Sequence, residues 1–294
     1  MGFTTEKRKI DPIQRRRERL ERAETRERQR ISSLSAIMNV MVKAVQKAGR
    51  SLIRDFGEVG ELQVTRKGPG DFVSNADIQV EQILIDSLSE DRPDYGFISE
   101  ERGVIPSKND SPFTWIIDPI DGTTNFIHAL PFFAVSVALK YHDAVTAAVV
   151  FNPISNDLYY AEKGQGAFLM TPSGQKRLRV SGRTNLSECL IGSVSRLQSA
   201  VLQNMSGRIA GFRYYGATTL QLSEVTAGQL DAFIAQKTPI WDIAAASLFI
   251  REAGGTIATL SGKTGLQDLT GEEYVIASNL SLFTTIQKEL SKKG

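Results

Sequence analysis

The sequence predicts an α/β protein built in layers from two subdomains, an antiparallel-sheet unit followed by a mixed-sheet unit. Between Tyr95 and Glu162, apolar strand-like runs follow one another through turns with no helix between them, the pattern of an antiparallel sheet. After Gly164-Gln165-Gly166, strands alternate with helical stretches up to the C-terminus. At 294 residues, 41% hydrophobic and 23% charged, the chain suffices for one large core or two packed subdomains. The expected divisions are a charged extension over 1–31, a first subdomain over 32–165 and a second over 166–294.

Residues 1–31 contain 11 basic and 6 acidic residues and almost nothing apolar, so the segment carries +5 in a chain of +2. Glu18, Glu21, Glu24 and Glu27 interleave with arginines three and four positions away, which suits a solvated helix or a disordered extension. It reads as a solubilising extension, as a start placed upstream of Met38 or Met41, or as an arm for RNA or an acidic partner. From Met38 the pattern changes. Met38, Met41, Val42, Val45, Leu52, Ile53 and Phe56 share one face at helical spacing, and Gly57 and Gly60 end the helix. A second helix follows Ser74-Asn75-Ala76-Asp77, which resembles a capping box, with Val80, Ile83, Leu84 and Leu88 inward.

Strands are expected at Tyr95–Ser99, Phe113–Asp118, Pro131–Tyr141, Ala144–Phe151 and Asp157–Glu162, with a His142-Asp143 turn. The second subdomain reads as strand Cys189–Val194, helix Leu197–Ile209, strand Phe212–Tyr215 and helix Leu220–Ala227. Strand Ala232–Ala235, helix Ile243–Ala253 ended by Gly254-Gly255, strand Tyr274–Ala277 and a terminal helix complete it.

Composition excludes several classes. A single cysteine, Cys189, permits no intrachain disulfide, suits the reducing cytoplasm, and lies in an apolar run as a small core residue. No apolar run reaches a membrane span, and the N-terminus is charged rather than signal-like. His128 and His142 are too few for a histidine metal centre and are expected near the surface at strand ends. A metal would have to be held by oxygens.

Asp118-Pro119-Ile120-Asp121-Gly122-Thr123-Thr124 provides such oxygens. Mg²⁺ prefers a few carboxylates together with waters and phosphate oxygens, and Asp118, Asp121 and the Ile120 carbonyl can contribute. Trp115-Ile116-Ile117 reads as a buried strand, and Pro119 is expected to end its pairing, which would place both carboxylates in a turn. A short helix beginning at Gly122-Thr123 would present N–H groups to an anion. Taken alone, the heptapeptide is equally a helix N-cap with flanking acids. Two further acidic blocks lie upstream, Asp71 to Asp77 and Ser99-Glu100-Glu101, and Trp241-Asp242 opens a helix downstream.

In this order and spacing the blocks resemble the inositol monophosphatase family of Mg²⁺-dependent, lithium-sensitive sugar-phosphate phosphatases, from about Met38 to the end of the chain. The resemblance implies an α-β-α-β-α sandwich, commonly a homodimer, with two to three Mg²⁺ ions per subunit. It implies that Glu100, Asp118 and the Ile120 carbonyl hold a first ion, and that Asp118, Asp121 and Asp242 hold a second. Asp77, with Glu100, would stand near a weaker third ion through water. It further implies that Thr123 and Asp77 orient the attacking water, that Glu100 helps draw off its proton, and that the Gly122 and Thr123 N–H groups grip the phosphate. A water on Asp242 would serve the leaving oxygen. Lys67, or else Arg66, stands where the family carries a lysine that governs metal and lithium response. Some bacterial members also associate with RNA and the transcription machinery, which makes the basic extension a second, non-enzymatic reading.

Substrate identity is the open expectation. Thr124-Asn125-Phe126 is the inositol-phosphatase form of the motif and favours a small polyol or sugar phosphate such as inositol 1-phosphate. Against this, Ala235 stands where the family usually places an inositol-facing glutamate, seven residues before Asp242. The substrate loop Gly216-Ala217-Thr218 also departs from the usual Gly-Thr-Ala or Gly-Ser-Ala. Loss of one charged hydrogen bond, about 1.5–3 kcal/mol, is enough to change substrate preference without touching phosphate chemistry. Fructose 1,6-bisphosphatase, histidinol phosphatase and bisphosphonucleotidase activities are the alternatives.

Overall fold

Helix α1 (Ala36–Phe56) buries Met38, Met41, Val42, Val45 and Leu52 along one face, as its spacing predicts, whereas Ile53, expected on that face, is 50% exposed and Phe56 is half-buried. The computed structural model describes residues 25, 34–56, 64–68, 71–194 and 205–291, with backbone alone at 64–68 and 71–74. The charged extension apart from residue 25, the Lys67 and Arg66 side chains and most of the helix expected over Leu197–Ile209 therefore lie outside the described residues.

A hairpin, β1 (Val64–Gly68) and β2 (Asp71–Ser74), leads into α2 (Asn75–Asp91), which buries Val80, Leu84 and Leu88 at four-residue intervals. Eight strands then form one sheet. They are β3 (Gly96–Ser99), β4 (Gly103–Ile105), β5 (Phe113–Asp121), β6 (Ala134–Tyr141), β7 (Ala144–Asn152), β8 (Asp157–Glu162), β9 (Gly166–Thr171) and β10 (Gly174–Arg177), in the spatial order β10-β9-β8-β7-β6-β5-β3-β4. The expected purely antiparallel sheet is corrected at one place, because β5 runs parallel to β3. The short strand β4 reverses the chain on the outer edge of β3, so the chain enters β5 in the β3 direction. The sheet continues past residue 165 through the hairpin β9–β10, and the two sheets part after Arg177.

Helix α3 (Thr123–Ile127) is a short turn between β5 and β6. The second sheet contains β11 (Leu190–Ser193), β12 (Gly211–Arg213), β13 (Ala232–Gln236), β14 (Thr256–Thr259) and β15 (Tyr274–Ser278), ordered β12-β11-β13-β15-β14. Strand β11 is parallel to β12 and β13, and β15 is antiparallel to β13 and β14, so this sheet is mixed as expected. Helices α4 (Thr218–Thr226) and α5 (Ile240–Glu252) and the terminal α6 (Leu280–Ser291) complete the order.

Strand periodicity builds the layers. Along β5, Trp115 and Ile117 face the core shared with α1 and α2, while Ile116 faces the core shared with α4 and α5. On β13, Phe233 and Ala235 join that inner helix layer, and Ala232 and Ile234 face α6. The result is helix pair, sheet, helix pair, sheet, helix, the five-layer α-β-α-β-α sandwich. Strands with helices on both faces need apolar residues at successive positions, and β6 from Ala134 to Leu139 is buried throughout. Cys189 is a buried core thiol, with burial pushing it up to about 11. His128 and His142 are both exposed at element ends. No helix among the described residues is long and apolar enough to cross a membrane.

One carboxylate in the inner layer gives a pH prediction. Burial pushes Glu224 of α4 up from 4.5 to about 7. An acid whose folded value is raised favours the fold at low pH, and that advantage is lost as pH rises from about 4.5 to about 7. Allowing for solvent screening of this half-buried group, the loss is about 1–2 kcal/mol. Urea melts of Glu224→Gln should match the parent at pH 5 and exceed it by that amount at pH 8.

Candidate active site

Strand β5 delivers the centre of the site, by a different route from the expected turn. The strand does not stop at Pro119. It runs to Asp121, with Asp118 paired to Ser136 and Asp121 paired to Ala134. Three steps on β5 therefore match two on β6, which is a β-bulge, and the bulge accommodates a proline that has no N–H to offer the ladder. Residues three apart on a regular strand face opposite ways. Because Ser136 and Ala134 face the same way, the extra residue turns Asp118 and Asp121 to the same side.

The other acids arrive on separate elements. Glu100 follows β3, whose Ser99 pairs with Ile117, so it lies beside Asp118. Asp77 is buried in the first turn of α2, and Asp242 is half-buried in the first turn of α5. Burial holds the Asp118 carboxyl well above the ordinary range, reinforced in order by the charges of Glu100, Asp121, Asp242 and Asp77. Burial also raises Asp242 well above that range, with Asp121 and Glu100 adding to it and hydrogen bonds from Thr218 and Asp118 opposing it. The sequence-predicted acids thus converge on Asp118. Its Oδ1 is buried and has no hydrogen-bond partner among the described residues.

Asp121 has a different environment. Its Oδ1 accepts the Thr218 N–H at 2.7 Å, and its Oδ2 accepts the N–H groups of Thr219 at 2.8 Å and Leu220 at 3.3 Å, as well as the Thr219 hydroxyl. The N-cap residue of α4 is Ala217, which has no side-chain acceptor, so Asp121 caps this helix from a distant strand. Burial still raises its carboxyl to about 6 against these bonds.

Around this core, the Thr123 hydroxyl lies 3.1 Å from Asp77 Oδ1 and 3.0 Å from the Ile120 carbonyl, and it can donate to either. Gly122 has φ 91°, and a Cβ there would meet Ala217 Cβ at 3.0 Å and the Gly216 carbonyl at 3.2 Å. Only glycine lets the loop Gly216-Ala217-Thr218 cross this closely. Asn125 fixes the crossing by donating from Nδ2 to the carbonyls of Phe132 (2.7 Å) and Tyr215 (2.6 Å). Ala235 is fully buried in β13 and presents no polar group, and Trp241 packs against the inner core.

Sequence reasoning missed Glu81, one helical turn beyond Asp77. It is buried, accepts the Glu101 N–H at 3.0 Å and pairs with Arg102 Nε at 3.4 Å, so it fixes the turn that carries Glu100. Its acidic letter inside the apolar face of α2 was the available signal. Asp231 was missed as well. Buried, it accepts from the Ser181 hydroxyl at 2.6 Å, Arg183 Nη1 at 3.0 Å and the Leu190 N–H at 2.8 Å.

The donors around Asp118 are all oxygens, which suits a hard cation. Among the described residues no three acidic, histidine or cysteine side chains converge as a ready metal cage. Mg²⁺ does not require one, since it keeps waters and takes one or two carboxylates with substrate oxygens. An orphaned buried carboxylate oxygen amid four other acids fits such an ion.

The sequence pattern of the inositol monophosphatase family matches residues 33–293. The chain is 44% identical over 271 residues to an inositol-1-monophosphatase of Mesorhizobium japonicum, covering 88% of this chain and 99% of that protein. It is 34% identical over 272 residues to the Nus factor SuhB of Pseudomonas aeruginosa, covering 87% of this chain and 98% of that protein. The crystal structure of extragenic suppressor protein suhB from Bartonella henselae superimposes with a TM-score of 0.82 at 42% identity, covering 88% of this chain and all of that one.

Proposed function

We propose, because this chain belongs to the inositol monophosphatase family, that it is a Mg²⁺-dependent phosphomonoesterase acting on inositol 1-phosphate or a related small polyol or sugar phosphate. The observation that carries this reading is the buried, unpartnered Asp118 oxygen surrounded by Glu100, Asp121, Asp242 and Asp77. When bound, the metal would neutralise phosphate charge, acidify a water and stabilise the leaving oxygen. Glu100, Asp118, the Ile120 carbonyl, Asp121 and Asp242 would hold it, with Asp77 near a further ion.

The hydrogen-bonded pair Thr123 and Asp77 would orient the attacking water, and Glu100 would draw off its proton. The Gly122 and Thr123 N–H groups would grip the phosphate, aided by the close backbone approach that glycine permits. A water on Asp242 would protonate the departing oxygen. The loop Gly216-Ala217-Thr218, packed on Gly122, would contact the polyol. We place the protein in the cytoplasm as a lithium-sensitive homodimer.

Phosphate release from inositol 1-phosphate, glycerol 2-phosphate, fructose 1,6-bisphosphate, histidinol phosphate and adenosine 3′,5′-bisphosphate tests this. Turnover of a polyol or sugar monophosphate, absent in EDTA and restored by Mg²⁺, is expected. Preference for one of the last three would select the corresponding alternative activity, and no turnover on any substrate would sink the enzymatic reading.

A second reading concerns transcription, favoured by the relatives named Nus factor SuhB and by the arginine-rich residues 1–31. Removing residues 1–31 should abolish binding to RNA or RNA polymerase while leaving phosphatase rates unchanged. Binding that survives the deletion would end the role of the extension.

A further inference from the structure

Glu100, the acid proposed to hold the metal beside Asp118, stands at the edge of the first sheet. It begins the tip of the hairpin β3–β4, where Ser99 pairs with Gly103 around the three residues Glu100, Glu101 and Arg102. Strand β4 is three residues long, has no further strand beyond it, and leaves Val104 72% exposed. So short an edge strand does not fix the hairpin tip by its own pairing.

Helix α2 ties that tip down. Glu81 is fully buried, and its two carboxylate oxygens reach the two residues that follow Glu100. Its Oε2 accepts the Glu101 N–H at 3.0 Å, and its Oε1, which makes no hydrogen bond among the described residues, lies 3.4 Å from Arg102 Nε. The Arg102 guanidinium also donates from Nη2 to Gln82 Oε1, so it lies against the same helix with its side chain 41% exposed. One turn earlier, Asp77 Oδ1 stands 3.1 Å from the Thr123 hydroxyl. Residues four apart on a helix share a face, so one face of α2 locates both the tip that carries Glu100 and the start of α3 at Thr123.

These contacts are a poor source of stability. A buried carboxylate with one oxygen lacking a hydrogen bond, paired with a cation that is partly in water, gains little over an apolar side chain of the same size. What the contacts supply is position, because they hold both residues that follow Glu100 without using the Glu100 carboxylate. We propose that Glu81 is a positioning residue of the metal site, holding Glu100 where it can share a cation with Asp118. This role rests on the reading of the acidic cluster as a Mg²⁺ site.

Calorimetric titration of Mg²⁺ into the metal-free full chain tests it, using the parent protein, Glu81→Gln, Glu81→Ala and Asp231→Ala, with melting temperatures read in EDTA. Asp231 is a buried acid that holds Ser181, Arg183 and Leu190, so its alanine variant stands for loss of stability alone. The parent should bind Mg²⁺, and Glu81→Ala should bind it about 10–100-fold more weakly. Glu81→Gln, which keeps an acceptor for the Glu101 N–H, should lie between them, and Asp231→Ala should melt lower yet bind as the parent does. Equal Mg²⁺ affinity in the parent and both Glu81 variants would overturn the positioning role and leave the metal reading intact. Weakening of the same size in Asp231→Ala would overturn it too, by showing that any loss of stability loosens the site. A parent that binds no Mg²⁺ would remove the metal reading and this role together. Should Glu81→Ala fail to fold, Glu81→Gln decides alone: weaker binding than the parent supports the role, and equal binding overturns it.

Discussion

Asp118→Asn is expected to cut phosphate release by about 10³-fold or more while raising the melting temperature of the metal-free protein. The two effects share one cause. Asp118 is buried among four other acids and holds an oxygen that no described group satisfies, so its ionised form is disfavoured unless a cation is present. Asparagine keeps the shape and removes the charge, along with the carboxylate that the proposed ion needs. The sign with pH follows from the raised carboxyl. The ionised form weakens the fold as pH rises above the ordinary aspartate range, so the stabilisation by asparagine should be small at pH 4 and grow toward neutrality. Calorimetry in EDTA, beside activity in Mg²⁺, reads both. A lower melting temperature with activity retained would show that Asp118 is a structural acid.

Asp121→Ala should also abolish activity, with the opposite effect on stability. Its carboxylate accepts the Thr218, Thr219 and Leu220 N–H groups, so alanine strands the first turn of α4 inside the protein. A loss of about 2–4 kcal/mol in urea unfolding is expected from several buried donors left unsatisfied. Opposite signs at two aspartates three residues apart would separate the acid that waits for a cation from the acid that builds the helix end. If Asp121→Ala unfolds with the parent midpoint, the capping role is wrong.

The acids of the site were legible because each stands where an apolar element ends, and the sequence shows such boundaries plainly at Ser99-Glu100, Ile117-Asp118 and Trp241-Asp242. The layers were legible in part, since β6 and β7 are apolar enough to announce burial on both faces. What escaped were features decided by tertiary partners. Pro119 predicts a stop, but a bulge absorbs it and carries the pairing on to Asp121. The cap of α4 comes from a residue almost a hundred positions earlier in the chain, so no local motif around Ala217 reveals it. Glu81 and Asp231 were missed because the groups they satisfy, at Glu101, Ser181 and Leu190, are remote in sequence. The strands β9 and β10 went unread because Gly164 and Gly166 looked like a boundary. They form a hairpin turn whose N–H groups Glu252 binds at 2.7 Å each.

The inner helix layer has a consequence for how this chain can change over time. Helices α4 and α5 lend one flank to each sheet, and a single continuous apolar cluster runs from Ile116 and Ala148 through Phe249 to Phe233 and Val275. Each sheet also packs an outer core of its own, against α1 and α2 or against α6, but on the inner face neither has a filling without the other. Such a molecule is one cooperative unit of inheritance as well as of folding: its halves cannot be exchanged with those of another protein without rebuilding the shared filling, whereas its rim loops can vary one at a time. Diversification of what the protein recognises is thereby confined to the edges of a middle that must stay constant.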